Sequence, residues 1–353
     1  MTSASSGIVA AGRPPPGISS NFTNPESIGH KMVAVAISLP VITGCFLGLR
    51  LYTANVIIKR WHRDDYLIIA AYACGLANSI VNAMQTRNGV GNHIWDVPVQ
   101  NFREFMKLGA IGGSLTYNLS TAFTKASILA FFLRFAIADR ALRYAVYFVA
   151  FVTIGYSTPV AFAWIYQCQP IALYWDRSLT GSCINIQAMY NASCILNTVT
   201  DLAVLVLPIW ILRHLHIPLS KKIGVTLILM TGGFVCGVSA ARTVNVLLGY
   251  KNPDLTWLYS TNLIWFMAEM YVGIICACLP SLRPFFKHHF PSFDLFGHAE
   301  KHLQTWSHGG LATIELFEMR RGPSSTDRFA LPHSELGLYP ATGAQKDDDS
   351  GSK

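Results

Sequence analysis

Four charged residues lie inside long apolar stretches of the sequence, at Lys125, Asp201, Arg242 and Glu269. A charge at the centre of a membrane helix costs roughly 2.5–3.5 kcal/mol on insertion scales, so it is retained where it faces the protein interior. Because two of the four are cations and two are carboxylates, they can pair. We expect Asp201, Arg242 and Glu269 to share one buried site. Lys125 either joins them or extends towards the membrane surface.

Two kinds of chemistry suit such a site. Two carboxylates beside a cation can carry out acid–base catalysis when their environments differ, which makes Asp201 and Glu269 candidate catalytic residues. The same groups can bind the polar part of a ligand that is otherwise apolar. A third interpretation is structural: polar contacts hold membrane helices together, although each contributes only ~0.6 kcal/mol on average.

Each of the four charges belongs to a polar stripe on its own predicted helix. Residues three, four or seven positions apart lie on the same helix face. The stripes are Ser114, Asn118, Thr121 and Lys125; Tyr190, Asn197 and Asp201; Ser239, Arg242 and Asn245; and Tyr259, Asn262 and Glu269. The candidate ligand-binding residues selected from them are Asn118, Lys125, Asn197, Asp201, Arg242, Asn245, Asn262 and Glu269.

The composition identifies the elements that must position these residues. The chain is 52% hydrophobic and only 13% charged, whereas an average soluble domain carries about 25% charged residues. Stretches of roughly 17–25 apolar residues can cross a bilayer core as helices. Seven such stretches lie at 32–52, 66–86, 109–133, 144–166, 188–212, 223–248 and 257–280. The sequence therefore predicts an all-α bundle of seven transmembrane helices, embedded as a multi-pass protein in the lipid bilayer of the plasma membrane or an endomembrane.

Lysine and arginine residues set the predicted orientation, because they concentrate in cytoplasmic loops. The first, third and fifth connections are rich in them, whereas the fourth and sixth carry one each, Arg177 and Lys251. We therefore expect the N-terminus outside, the C-terminus in the cytoplasm and the candidate site open to the outside. These loops account for much of the net charge of +8 without any nucleic acid partner.

The chain divides into three predicted regions. Residues 1–30 form a flexible extracellular tail, residues 31–290 form the membrane domain, and residues 291–353 form a largely disordered cytoplasmic tail. The first tail carries the sequon Asn21-Phe-Thr23, so Asn21 is a candidate glycosylation site.

Cys168 and Cys183 differ from the other cysteines because both lie in the fourth connection, on the external side. That compartment is oxidising, so we expect a disulfide between them; two unpaired thiols are the alternative. The remaining cysteines lie in apolar stretches and suit packing. We expect no metal site, because the adjacent His288 and His289 would not face the same way on a helix.

Several motifs together resemble one known family. They are RDDYL at 63–67, GVGNHIW at 89–95, CQPIALYWDRSLTGSC at 168–183, TDLAVLVLPIWIL at 200–212, ARTV at 241–244 and AEMYVGIICACLPSLRPFF at 268–286. Their combination, over residues 31–290, is similar to the fungal rhodopsin-like family of seven-helix membrane proteins. The resemblance implies a fungal source and places Asp201, Arg242 and Glu269 at positions characteristic of the family.

The resemblance also implies a range of roles. The family includes receptor-like proteins linked to host sensing and proteins encoded in gene clusters for secondary metabolites. Some receptor-like members carry a cysteine-rich extracellular domain, whereas the N-terminal tail of this sequence contains no cysteine.

We expect no retinal and no other cofactor, despite the likeness to rhodopsins. Rhodopsins bind retinal through a lysine on their last helix, and the seventh apolar stretch here contains Glu269 and no lysine. Lys125 lies on the third stretch instead. The Asn-Pro-x-x-Tyr motif of G-protein-coupled receptors is replaced by CLPSLRPFF at 278–286. The motifs thus do not support a cytoplasmic signalling partner.

Two functions stay open on the sequence alone. The first is receptor-like binding of a small lipophilic molecule in an outward-facing polar cavity. The second is a membrane-embedded acid–base enzyme, such as a cyclase or isomerase, or an accessory protein in a secondary-metabolite pathway. A transporter is disfavoured, because the chain shows no repeated halves of the kind common in that class.

Overall fold

The computed structural model describes residues 9–135, 140–176, 178–214, 219–249 and 254–289, and most of these are helical. The helices are α1 (Gly29–Tyr52), α2 (Arg63–Arg87), α3 (Val99–Lys107), α4 (Ser114–Phe135), α5 (Arg140–Ile165), α6 (Ile186–His214), α7 (Leu219–Gly249), α8 (Leu255–Cys278) and α9 (Arg283–His289). The predicted cytoplasmic tail at 291–353 lies outside the described residues, so its disorder stays a prediction.

Two π-helical segments continue these helices. Thr53–Ile58 extends α1, and Leu108–Gly113 joins α3 to α4 as one continuous rod. The apolar stretch predicted at 109–133 is therefore the second part of a longer helical element. Glycine allows α2 to approach closely there, because a Cβ atom at Gly112 would lie 3.3 Å from the side chain of Val81.

Large apolar side chains cover much of the outside of the bundle. Phe148 and Phe151 of α5 are 68% and 76% exposed, and Met230 of α7 is 71% exposed. Such a surface is unfavourable in water and suits lipid, where helices satisfy their own backbone hydrogen bonds. Five stretches of the described chain are long and apolar enough to cross a membrane: Gly29–Ile58, Arg63–Arg87, Arg140–Ile165, Ile186–Leu207 and Thr256–Phe286. These features identify a multi-pass membrane protein.

The best-buried apolar core lies where α1, α2 and α8 meet. Met32, Ile68, Tyr271 and Ile274 are completely buried there. The hydroxyl groups of Tyr271 and Ser79 lie 2.7 Å apart, so this core leaves neither of these polar groups without a partner.

A buried ion cluster holds one end of the same three helices. The guanidinium of Arg50 donates to Asp64 at 2.7 Å, to Asp65 at 3.0 Å and to the carbonyl oxygen of Ala277 at 2.7 Å. Asp65 also accepts the backbone N–H of His62 at 3.0 Å and so caps α2. Because removing one partner of a buried ion pair is strongly destabilising, this cluster locks α1, α2 and α8 together.

The opposite end of the bundle carries a short hairpin. Strands β1 (Cys168–Gln169) and β2 (Ser182–Cys183) pair antiparallel, with Cys168 opposite Cys183, and the predicted disulfide joins these two residues. We call this the disulfide end.

Side-chain contacts fasten the hairpin loop to α3. Arg103 donates to Asp176 at 2.9 Å. Hydrogen bonds from the side chain and backbone of Ser178 hold the pKa of Asp176 below its usual value, and Arg103 acts in the same direction. Asp176 therefore stays ionised at neutral pH, facing the cation of α3.

The described part of the N-terminal tail is hydrogen-bonded to the bundle. The backbone N–H of Ala11 donates to Val97, and that of Ile28 donates to Gly91, at 2.8 and 2.9 Å. The backbone N–H of Asn21 donates to the carboxylate of Asp96 at 2.7 Å. Residues 9–28 thus lie along the α2–α3 connection at the disulfide end.

Candidate functional site

The four buried charges predicted to interact form two ion pairs in the middle of the bundle. Lys125 of α4 lies 3.1 Å from Asp201 of α6, and Arg242 of α7 lies 2.6 Å from Glu269 of α8. Lys125 thus joins the site instead of extending to the membrane surface. Each carboxylate therefore has its own cation. Which cation meets which carboxylate depends on the relative rotation of four helices.

Asn197 and Ser239 connect the two ion pairs. Asn197 accepts a hydrogen bond from Lys125 at 3.0 Å and uses its amide hydrogens to donate to both Asp201 and Glu269. The hydroxyl of Ser239 lies 2.7 Å from an oxygen of each carboxylate, and its single proton can serve one of them at a time. We call these six residues the charge layer: Lys125, Asn197, Asp201, Ser239, Arg242 and Glu269.

The charge layer lies between two cavities. The first cavity, towards the disulfide end, has a volume of about 50 Å³ and is bordered by α2, α4, α5, α6, α7 and α8. The second, on the other side of the layer, has a volume of about 60 Å³ and is bordered by α4, α6, α7 and α8. Lys125, Asp201 and Glu269 line the second cavity, and Arg242 lines the first. Both cavities are large enough to admit water or part of a small ligand.

Polar side chains of α2 contribute to the first cavity, although none of them is among the predicted candidates. Asn78, Asn82 and Gln85 line it. They follow the same spacing of four and three residues as the other stripes, so the sequence does contain a polar stripe on α2. This stripe is a weaker signal than the others because it carries no charge.

Aromatic side chains form much of the remaining wall of the first cavity. The rings of Tyr117 and Phe266 meet edge to face with centroids 4.8 Å apart, and those of Trp164 and Tyr190 do so at 5.8 Å. The guanidinium carbon of Arg242 lies 4.7 Å from the centroid of Phe266, a cation–π contact. The first cavity therefore combines one cation, several amides and aromatic surfaces.

Several buried polar atoms of this cavity have no hydrogen-bond partner within the described part of the chain. They are Nε2 and Oε1 of Gln85, Oδ1 of Asn82, the hydroxyl of Tyr190, and Nε and Nη2 of Arg242. Leaving a buried polar group unsatisfied costs about 1–3 kcal/mol. Such atoms concentrated around one cavity are typical of a site that is completed by bound molecules.

The remaining candidates have different positions. Asn118 lines the first cavity, although its amide donates to the carbonyl of Ser114 at 2.8 Å. Asn262 is buried, but it is absent from the residues that line either cavity. Asn245 is exposed on α7 and donates to the carbonyl of Ala241, so its selection as a ligand-binding residue is wrong. Three residues along a helix amount to a rotation of about 60° from the starting face, which turns Asn245 away from the site.

Other predicted features lie apart from the charge layer. Asn21 is in the tail that runs along the α2–α3 connection, and its glycosylation stays a prediction. Within the described chain, no group of three or more His, Cys, Asp and Glu residues is arranged to hold a metal ion.

Comparisons with known proteins match the chain to a family model and to several relatives. The family model described as the fungal rhodopsin domain matches residues 49–288. A SAT4 family membrane protein of Emericella nidulans is 30% identical over 234 residues, which cover 66% of this chain and 59% of that protein. The chain thus spans less than two thirds of that relative's length.

The names of two further relatives refer to a function. Fugralins biosynthesis cluster protein 2 of Gibberella zeae is 27% identical over 284 residues, covering 78% of this chain and 70% of that protein. The receptor GIN3 of Arthrobotrys oligospora is 22% identical over 287 residues, covering 78% of this chain and 67% of that protein. One relative is thus named for a biosynthetic gene cluster and the other as a receptor.

Proposed function

Because the chain belongs to the fungal rhodopsin domain family, we propose that it is a receptor-like, seven-span membrane protein that binds a small lipophilic molecule in its first cavity. In this arrangement α4 and α7 cross the bilayer together with the five apolar stretches already identified. The N-terminus and the disulfide end face outwards, and the C-terminus faces the cytoplasm. The charge bias of the connections supports this orientation.

The unpartnered polar atoms around the first cavity are the main support for the proposal. Gln85 is completely buried and makes no side-chain hydrogen bond within the described residues. Because the side chain of Gln85 is shielded from bulk solvent, a partner would come from a ligand or from water inside the cavity. The aromatic wall formed by Tyr117, Trp164, Tyr190 and Phe266 suits the apolar body of a lipophilic ligand.

Lys125 is not available for a Schiff base in this arrangement, which supports binding without retinal. Its amino group donates to Asn197 at 3.0 Å and to Thr200 at 2.7 Å, besides pairing with Asp201. The segment Leu255–Cys278 contains Glu269 and no lysine.

A second candidate function rests on the names of the relatives. Fugralins biosynthesis cluster protein 2 suggests that this chain too serves a secondary-metabolite pathway, as an acid–base enzyme or an accessory protein. The geometry favours binding over proton transfer, because Asp201 and Glu269 are each engaged by a cation and by the shared donors Asn197 and Ser239.

A complementation experiment tests the proposal. The gene is deleted in its host, and the strain is complemented with the natural protein, with Gln85→Leu, or with Asn245→Leu as a matched control on the exposed face. Metabolites and transcripts are then profiled. A receptor predicts broad loss of a response with altered transcripts, restored by the control and not by Gln85→Leu at equal protein level. Accumulation of a single intermediate with unchanged transcripts would support the enzyme instead.

A further inference from the structure

We propose that the first cavity recognises a carboxylate, so that its ligand is an organic acid with an apolar or aromatic body. The inference rests on the proposed function, since it names the class of ligand for the same cavity. The guanidinium of Arg242, the charge distribution around the cavity and the amides of α2 each support it.

The guanidinium of Arg242 presents one occupied side and one free edge. Its Nη1 atom pairs with Glu269 at 2.6 Å and donates to the hydroxyl of Tyr117. Its Nε and Nη2 atoms have no partner within the described residues, although the side chain is only 1% exposed. These two N–H groups are parallel and spaced to match the two oxygens of a carboxylate, the bidentate geometry that arginine favours.

The charged group that faces the first cavity favours an anion over a cation. Among the described residues that line this cavity, Arg242 carries the charge; Glu269 balances it from one side at 2.6 Å, and the unpartnered N–H groups lie on another edge. The two carboxylates of the charge layer line the second cavity, where Asp201 is neutralised by Lys125. The second oxygen of Glu269 is turned to Asn197 and Ser239. A ligand cation would therefore meet a buried arginine, whereas a ligand carboxylate would complete its hydrogen bonds.

Additional donors and aromatic surfaces extend the site beyond the arginine. The amide group of Gln85 and the hydroxyl of Tyr190 are both unpartnered and line the same cavity. Either can serve a second oxygen of the ligand, such as a hydroxyl or keto group. Phe266 packs against the guanidinium of Arg242, so an apolar body beside the carboxylate would lie against aromatic rings.

Three probes with one body and different polar ends test the inference on the purified full-length chain in nanodiscs. They are 3-phenylpropionate, its amide 3-phenylpropionamide and the amine 3-phenylpropylamine. Binding is followed by the shift in unfolding temperature and by quenching of tryptophan fluorescence, because Trp164 lines the cavity. Concentrations up to about 10 mM cover the millimolar affinities expected of ligands this small.

We expect the acid to bind at least about tenfold more tightly than the amide, and the amine to show no binding. Arg242→Lys keeps the positive charge and the partner of Glu269 but removes the parallel N–H pair, so it should abolish the preference for the acid. Gln85→Leu leaves the arginine in place and should weaken all bound probes. Asn245→Leu, on the exposed face, should change nothing.

Three results overturn the inference. Equal or tighter binding of the amide or amine would show a cavity that binds ligands without recognising a carboxylate, so the proposed function would stand. Acid binding that Arg242→Lys and Gln85→Leu leave unchanged, or no binding of any probe, would also refute recognition at this edge. Complementation with Gln85→Leu is measured independently of the probes. If this variant restores the response as well as the natural protein does, the proposed function itself is refuted.

Discussion

Breaking the pair between Lys125 and Asp201 should destabilise the protein far more than an ordinary polar contact between membrane helices. The two charged groups lie 3.1 Å apart, and their side chains are 7% and 10% exposed. Asp201→Asn keeps the shape of the side chain and leaves the lysine unpaired. Lys125→Met keeps an extended chain and leaves the carboxylate unpaired.

The size of the effect follows from the burial of both groups. Removing one partner of a buried ion pair costs about 3–5 kcal/mol, because the other charge is left uncompensated. Hydrogen bonds from Lys125 to Asn197 and Thr200 remain in Asp201→Asn and soften the loss. We therefore expect each single variant to lose about 3 kcal/mol, whereas an average polar contact between membrane helices is worth ~0.6 kcal/mol. The double variant should regain most of this stability.

A double-mutant cycle measures this coupling directly. The free energy of unfolding of the natural protein, both single variants and the double variant is obtained by titrating detergent-solubilised protein with a denaturing detergent. Asn245→Leu serves as a control for substitution on a helix of the same bundle. If the losses of the single variants simply add in the double variant, the two residues are not coupled and the pairing is refuted.

Three further predictions concern the disulfide, the orientation in the membrane and the absence of retinal. Replacing Cys168 and Cys183 together by serine should lower the stability by about 3 kcal/mol, because the disulfide closes a loop of 15 residues; an unchanged unfolding temperature would contradict this. A glycosylation reporter fused after Lys353 should stay unmodified and be protected from external protease, and a modified reporter would reverse the predicted orientation. Purified protein incubated with retinal should show no absorption band shifted from the free chromophore, whereas a shifted band lost in Lys125→Ala would refute binding without retinal.

Much of the site could be predicted because charges are costly in lipid. That single rule selected Lys125, Asp201, Arg242 and Glu269, and the structure brings all four into one layer. The partners within the layer could not be predicted, since they depend on how far each helix is rotated and shifted against its neighbours. Helical spacing was a weaker guide, because it included Asn245, which lies just beyond the edge of the buried face.

Uncharged residues and residues near helix ends could not be predicted for a different reason. Asn82 and Gln85 carry no charge, so they cost less in lipid and do not stand out from the composition of α2. Arg50 lies close to the predicted end of its helix, where a cation is ordinarily explained by the membrane surface. Its burial beside Asp64 and Asp65 becomes visible only when α1, α2 and α8 are assembled.

The proposed function requires that the first cavity hold a small molecule through its buried polar groups. Native mass spectrometry can detect such a molecule on nanodisc-embedded protein purified from a fungal host grown under conditions that induce secondary metabolism. We predict a small molecule bound to the natural protein and to Asn245→Leu, and absent from Gln85→Leu. Finding the same bound mass on all three proteins, or on none of them, would contradict the assignment of this cavity as the binding site.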